Sequence, residues 1–311
     1  MQEIICIAGP TASGKTALSI ALAKELDGEV VSCDSMQVYR RMNIGTAKPT
    51  PEETAGIPHH MLDVAEPDED FSVSRYCEMA TPIVDNILAR GKTAIIVGGT
   101  GLYMDALIRG NSFAPYPSTG MREKLEAQAE KDGMEAMLKL LASIDPDSAA
   151  RLPVADRKRI IRALEVYYET GETITAHNLK TQQIPPRYNP VWFALEDADR
   201  ATLYHRIDRR VEQMLEQGLL DEIRALLADG IPEKCTAMQA IGYKEFVDAL
   251  QGRSSLETAT ALVQHSSRQY AKRQLTWFRR NKAIHWLRRE EQDGTAQILA
   301  KARQVLTECD K

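Results

Sequence analysis

Residues Gly9, Pro10, Thr11, Ala12, Ser13, Gly14, Lys15 and Thr16 spell G-x-x-x-x-G-K-[ST]. The run lies between an apolar stretch, Gln2–Ala8, and a segment carrying Leu18, Leu22 and Leu26 at helical spacing. In a strand–loop–helix setting such a loop turns backbone N–H groups and a helix N-terminus toward phosphate oxygens. Lys15 adds a point charge, and the Thr16 hydroxyl can hold Mg²⁺. The motif specifies a polyphosphate and leaves the reaction open.

The usual second Mg²⁺ ligand of such sites is an Asp closing an apolar strand. Here the β-branched run Thr93–Val97 ends in Gly98, Gly99 and Thr100 instead. Asp34 does close a strand, over 29–33, and opens the polar cluster Asp34, Ser35, Met36 and Gln37. This argues against a motor NTPase and for transfer of a group to an acceptor at the C-terminal edge of a sheet. A helix N-cap is the plain alternative for Asp34. Gly98, Gly99 and Gly101 let a substrate come close to the backbone or make a tight strand–helix turn, and both readings can hold together. Arg206 and Arg210 are four apart on one helix face, spaced to clamp the far side of a di- or triphosphate. Pairing with Asp208, Glu212 or Glu216 is the alternative.

Between residues 258 and 289 there are eight Lys or Arg and no Asp or Glu, with Tyr270, Trp277, Phe278 and Trp286 interleaved. The whole chain has 39 Lys plus Arg against 44 Asp plus Glu, a net charge of -5, so this is a local asymmetry. Basic side chains for phosphates and aromatics for bases suit an RNA partner, with Lys272, Arg273, Arg279 and Arg280 as its contacts. Trp277 and Phe278 read as the core face of an amphipathic helix. Arg157, Lys158, Arg159 and Arg162 form a second basic stretch. His59 and His60, beside a strand, are assigned to packing.

These residues need a scaffold. A chain of 311 residues, 43% hydrophobic and 27% charged, supports one large domain or two ordinary ones and argues against disorder. No apolar run reaches the roughly 20 residues of a membrane span. The five cysteines form no C-x-x-C, and a strand candidate opens the chain, so no leader is expected and a reducing cytoplasm is the expected compartment. No heptad repeat suggests an oligomer, and a monomer is expected. The pattern predicts a helix ending at Gly28, a short strand over 60–64, and a helix over 72–90 capped by Ser72 and Gly91. Residues 113–119 read as a linker, 122–170 as wholly helical, and 191–195 as a return to the sheet. Helices over 200–228, 236–250 and 256–281 precede a last strand at 283–287. The expectation is an α/β fold: a P-loop NTPase-like parallel sheet core with helices on both faces and a helical insertion domain. The core takes 1–115 plus 189–311, and the insertion takes 116–188.

With these elements in place, the motifs GPTASGKT (9–16), SCDSMQ (32–37), MNIGTAKP (42–49), GGTGLY (98–103), AIGYKE (240–245) and KRQLTWF (272–278) together resemble the tRNA dimethylallyltransferase family. The resemblance implies transfer of a dimethylallyl group from its diphosphate to the exocyclic N6 of the adenosine 3′ to the anticodon. It implies that 9–16, with Lys15, holds the prenyl diphosphate and that Asp34 is the general base. Ser35, Met36 and Gln37 would line the pocket for the target base. Thr100, Arg122, the stretch Lys158, Arg159, Ile160, Ile161 and Arg162, and the stretch Gln239, Ala240, Ile241, Gly242, Tyr243 and Lys244 would contact the tRNA anticodon stem-loop. Arg206 and Arg210 match an arginine-bearing helix near the diphosphate. The zinc-finger tail of some eukaryotic members is absent, which points to the bacterial form. Two other readings remain open: a P-loop kinase for a small metabolite or nucleotide, and a nucleotide-gated RNA-binding protein.

Overall fold

The structure, a computed structural model, describes residues 2–110 and 119–309. Most of the expected linker and the expected boundary at 115/116 lie outside the described residues. The chain divides into two compact units, one of Met1–Gly110 with Arg187–Lys311 and one of Asn111–Pro186.

In chain order the first stretch runs β1 (Gln2–Ala8), α1 (Lys15–Glu25), β2 (Gly28–Ser32), the single turn α2 (Pro51–Thr54), β3 (His59–His60), α3 (Val73–Ala89), β4 (Thr93–Val97) and α4 (Gly101–Arg109). The smaller unit holds α5 (Met121–Asp132), α6 (Met134–Ile144), α7 (Pro146–Arg151), α8 (Arg157–Thr170) and α9 (Ile174–Gln183). The chain then continues as β5 (Tyr188–Asp197), α10 (Arg200–Glu216), α11 (Leu219–Ala228), α12 (Tyr243–Leu250), α13 (Leu256–Phe278), β6 (Ile284–Arg289) and α14 (Thr295–Cys309).

The strands form one six-stranded sheet in the order β3-β2-β4-β1-β5-β6, and every pairing is parallel. Side chains alternate across it. Ile5 and Ile7 of β1, Val30, Ile95, Phe193 and Leu195 face Leu18 and Leu22 of α1 and Ile298 and Ala302 of α14. Helices α3 and α4 cover the other face, where the Tyr76 hydroxyl donates to Ser32 O at 3.0 Å. A parallel sheet places the C-terminal ends of all its strands on one edge. The loops after β1, β2, β4, β5 and β6 therefore meet there. The smaller unit packs its own core from Leu125, Ala129, Met137, Leu141, Ile160, Ile161 and Leu164.

Several elements differ from the sequence reading. Gly28 does not cap α1. Asp27 takes the left-handed conformation (φ 44°) and Gly28 opens β2, where an added Cβ would lie 2.9 Å from Thr93 O. The strand expected over 60–64 stops at His60, because Met61 and Asp63 have φ of 62° and 54°. The helix over 200–228 breaks at Gly218 (φ 97°), and that over 236–250 breaks at Gly242 (φ 96°) into a 3-10 turn and α12. Helix α14 has no counterpart in the sequence reading, yet it closes the core over α1.

Candidate active site

At the C-terminal edge of the sheet lies a cavity of about 900 Å³. The phosphate loop forms one side of it. Asp34 and Gln37 follow β2, residues 43–50 form a wall, Arg206, Arg209 and Arg210 come from α10, and Tyr270, Gln274 and Arg289 come from α13 and β6.

The loop conformation explains its glycines. Gly9 (φ 138°) packs against β5, where a Cβ would sit 2.9 Å from Leu195 O, and Gly14 (φ 91°) opens α1. Two distant residues brace the loop. Gln274 accepts from Thr11 N at 3.0 Å and donates to Gly99 O at 3.0 Å, which ties the loop to the end of β4. Arg289 donates from Nη1 to Ser13 O at 3.2 Å. The glycines after β4 serve the same packing. A Cβ at Gly98 would overlap the Cys33 carbonyl, at Gly99 the Gln274 amide, and at Gly101 the Trp277 ring. All three make room for the protein's own chain, and Gly98 also lines the cavity.

The cations in the cavity are not equivalent. Lys15 donates to Pro10 O at 2.6 Å. Enclosure by protein and the nearby Arg210 push its ammonium down to about 7, against the pull of Asp34. Arg210 is lowered by burial, with Asp34 and Glu53 acting the other way, and among the described residues it has no hydrogen-bond or ion-pair partner. Arg206 is paired, but not with the acids of its own helix. It binds Asp197, which is almost fully buried at the end of β5. Burial raises the Asp197 carboxyl, Arg206 and Arg289 oppose that shift, and its Oδ2 has no partner. Asp208 instead takes Arg268 of α13.

Asp34 both caps a turn and faces the cavity. Its Oδ1 accepts Met36 N at 2.9 Å and Gln37 N at 3.4 Å, and its second oxygen has no protein partner among the described residues. Thr100, the N-cap residue of α4, accepts Ser35 N at 3.0 Å and so fixes the turn that carries Asp34. Ser35 and Met36 are half-buried and do not line the cavity. The Gln37 amide is engaged by the protein. It accepts from Ser32 Oγ at 3.0 Å and donates to Thr46 O and Ala47 O at 3.2 Å.

The residues expected to contact tRNA divide by burial. Gln239, Lys244, Lys272 and Arg273 are exposed on the larger unit, and Lys158 and Arg159 on the smaller one. Ala240 and Ile241 are half-buried. Gly242 and Tyr243 are buried, and the Tyr243 hydroxyl donates to Glu222 Oε1 at 2.6 Å. Burial and that carboxylate push the phenol far above its ordinary value, so it stays a donor. Ile160 and Ile161 are 0% and 1% exposed in the core of the smaller unit, where no ligand reaches their side chains. Arg122 makes a bidentate bond to Glu165, at 3.1 and 3.0 Å, and Arg162 adds a third at 2.7 Å. Ile160 and Ile161 are corrections, because helical spacing alone does not separate a contact face from a packing face; Arg122 and Arg162 keep largely exposed side chains beside Glu165. The aromatics after 258 are also used internally. Phe278 is core, Trp277 Nε1 donates to Asp105 Oδ2 at 2.9 Å, and Arg279 lies 6.0 Å from the Trp286 ring.

His60 Nε2 meets Glu29 Oε2 at 2.8 Å, and His59 Nδ1 meets Ile57 O at 2.8 Å. Among the described residues no cluster of three or more His, Cys, Asp or Glu could hold a metal. Nor is any described helix long and apolar enough to cross a membrane. Sequence reasoning missed Gln274, Arg289 and Glu222. The first two lie inside the basic stretch, but their partners are 175 to 276 residues away, beyond any local pattern.

A phosphate loop on the C-terminal edge of a fully parallel, helix-covered sheet puts the chain among the P-loop-like α/β proteins. Within that class, residues 37–281 match the model of the IPP transferase family, a family of prenyltransferases, and the chain belongs to it. It is 42% identical over 300 residues to the tRNA dimethylallyltransferase of Acetivibrio thermocellus, covering 96% of each chain. The crystal structure of the full-length tRNA isopentenylpyrophosphate transferase of Bacillus halodurans superposes with a TM-score of 0.75 at 41% identity, over 100% of this chain and 97% of that one. A eukaryotic dimethylallyltransferase acting on tRNA gives a TM-score of 0.83 at 30% identity, over 99% of this chain and 80% of that one.

Proposed function

We propose that this chain transfers a dimethylallyl group from dimethylallyl diphosphate to the exocyclic N6 of the adenosine 3′ to the anticodon of a tRNA. The observation that carries the reading is one cavity holding a phosphate loop, with an arginine that has no partner and an aspartate that has one open oxygen among the described residues. The allylic C–O bond breaks and its electron pair leaves with the diphosphate. The N6–C bond forms, and the N6 proton passes to Asp34, acting as general base. Loop N–H groups, Lys15 and Arg210 stabilise the charge that builds on the departing diphosphate. Thr100 supports the reaction by holding the Ser35 amide, which orients Asp34.

Mg²⁺ fits this site. It takes only one or two protein oxygens and otherwise keeps water and phosphate ligands, and the Thr16 hydroxyl lines the same cavity. Bound there, it would neutralise charge on the diphosphate. The target base must leave its stack, at a cost of a few kcal/mol. Contacts of Lys158, Arg159, Lys272 and Arg273 with the anticodon stem-loop backbone offset that cost. The exposed Gln239 and Lys244 belong to the same surface of the larger unit. The reading takes the chain to act as a monomer in the cytoplasm.

The test is a mass assay. The chain is incubated with Mg²⁺, dimethylallyl diphosphate and unmodified tRNA, and the digested RNA is searched for a nucleoside heavier by one C₅H₈. Its appearance is expected. Its absence across several tRNAs, with ADP formed from ATP and a small acceptor, would make the chain a kinase. Unchanged RNA mass with nucleotide-dependent RNA binding would make it a binding protein.

A further inference from the structure

Residues 43–50 form a wall of the cavity, and Ile44, Ala47 and Pro49 give it an apolar surface on the same cavity as the phosphate loop. This wall has no regular secondary structure, so its shape depends on what holds its backbone. Three consecutive backbone N–H groups point away from the cavity and onto one carboxylate. Glu222 Oε2 accepts Asn43 N at 2.7 Å and Ile44 N at 2.8 Å, and Oε1 accepts Gly45 N at 3.2 Å. The Tyr243 hydroxyl, at 2.6 Å, completes four bonds on that one side chain. Successive N–H groups of this kind make an anion nest, and here the protein fills the nest itself.

Two further contacts fix the register. An added Cβ at Gly45 would overlap the Tyr243 ring, so the glycine lets the tyrosine close over the loop. Seven residues on along the same helix face, at the end of α11, Asp229 binds Arg41 at 2.7 Å and secures the start of the segment. Glu222 therefore joins two sequence motifs, 42–49 and 240–245, and belongs to neither.

We propose that Glu222 is a positioning residue for the prenyl diphosphate. Its carboxylate organises the 43–45 backbone so that the apolar wall keeps the shape the prenyl chain needs, while the residue touches no reacting atom. The inference rests on the transferase reading for its choice of ligand, and on the geometry alone for the clamp.

The test uses the full chain with Glu222→Gln, which puts an NH₂ donor where the loop also presents donors, and Tyr243→Phe, which removes one bond and keeps the carboxylate. Amide hydrogen exchange reads the clamp without turnover, and steady-state assays separate KM from kcat. In Glu222→Gln, exchange at 43–45 is expected to accelerate and KM for dimethylallyl diphosphate to rise about tenfold, with kcat changed less than about twofold. In Tyr243→Phe the same changes are expected at about threefold. Unchanged exchange in a folded Glu222→Gln overturns the clamp. Faster exchange with unchanged KM, or a fall in kcat alone, overturns the positioning role. If Glu222→Gln does not fold, Tyr243→Phe decides, and unaltered exchange at Gly45 with unaltered KM overturns the proposal. A wild-type chain that prenylates no tRNA would defeat the transferase reading, and the exchange arm would still judge the clamp.

Discussion

Arg210 and Lys15 share a cavity in which no carboxylate among the described residues pairs with either, whereas Arg122, Arg157 and Arg162 of the smaller unit each reach a glutamate. A half-buried cation without a counter-charge is costly, and folded proteins keep such groups mainly where a ligand completes them. In the smaller unit Glu165 is almost buried. Burial opposes its ionisation, yet Arg122 and Arg162 still hold its carboxyl below the usual range. Those arginines help to hold the unit's own helices together. By this criterion Lys158, exposed and without a carboxylate partner among the described residues, is a good candidate for nucleic acid in that unit. Arg206 sits between the two cases, because it lines the cavity but is committed to Asp197.

The largest effect expected from this contrast belongs to Asp34. Asp34→Ala should lower turnover by about 10²–10⁴ fold while the prenyl diphosphate still binds, as measured by single-turnover kinetics and calorimetry. Near-normal turnover in Asp34→Ala, with Lys15→Ala inactive, would remove Asp34 as the base. The next effect compares two arginines directly. Arg210→Ala should raise KM for the diphosphate substrate by about 10–100 fold and leave thermal stability unchanged or higher, since it deletes an unpaired, half-buried charge. Arg122→Ala should do the reverse, costing on the order of 1 kcal/mol in denaturant unfolding with an unaltered diphosphate KM. Equal KM effects from the two would break the distinction between paired and unpaired cations.

The sequence was readable where a function is local. The phosphate loop, its flanking strand and helix, and the Ser72 cap that accepts Arg75 N are all written within a few residues. Asp34 could be placed beside the loop because parallel strands share an edge. What could not be read depends on contacts across hundreds of residues. Glycines 98, 99 and 101 do not reveal that Cys33, Gln274 and Trp277 pack against them. Tyr243 looks like a recognition residue until Glu222 is found at its hydroxyl. Ile160 and Ile161 share a basic stretch with Lys158 and Arg159, but a helix turns them inward. Helix α14 has Ile298 and Ala302 at helical spacing, and its place over α1 follows only once β6 is set at the sheet edge.

The smallest expected effect, and the sharpest in sign, concerns Lys15. Enclosure and Arg210 move its ammonium from an ordinary 10.5 to about 7. In the unfolded chain the group stays charged up to about 10.5, so between pH 7 and 10.5 the unfolded state binds more protons than the folded one. Its charging penalty on the fold is thus fully present below pH 7 and is relieved as the pH rises through that window. A bound diphosphate supplies the missing negative charge and should restore the ammonium. At pH 8 binding should therefore take up about one proton, and at pH 6 almost none, because Lys15 is already charged there. Calorimetry with inorganic diphosphate in buffers of different ionisation enthalpy measures this number. Lys15→Met should abolish the uptake at pH 8, and Arg122→Ala should leave it intact. Proton uptake that survives in Lys15→Met would place the titrating group elsewhere. Absence of uptake at pH 8 as well as at pH 6 would show that the loop lysine is charged before the ligand arrives, which would make the cavity's cations ordinary and remove the contrast with the smaller unit.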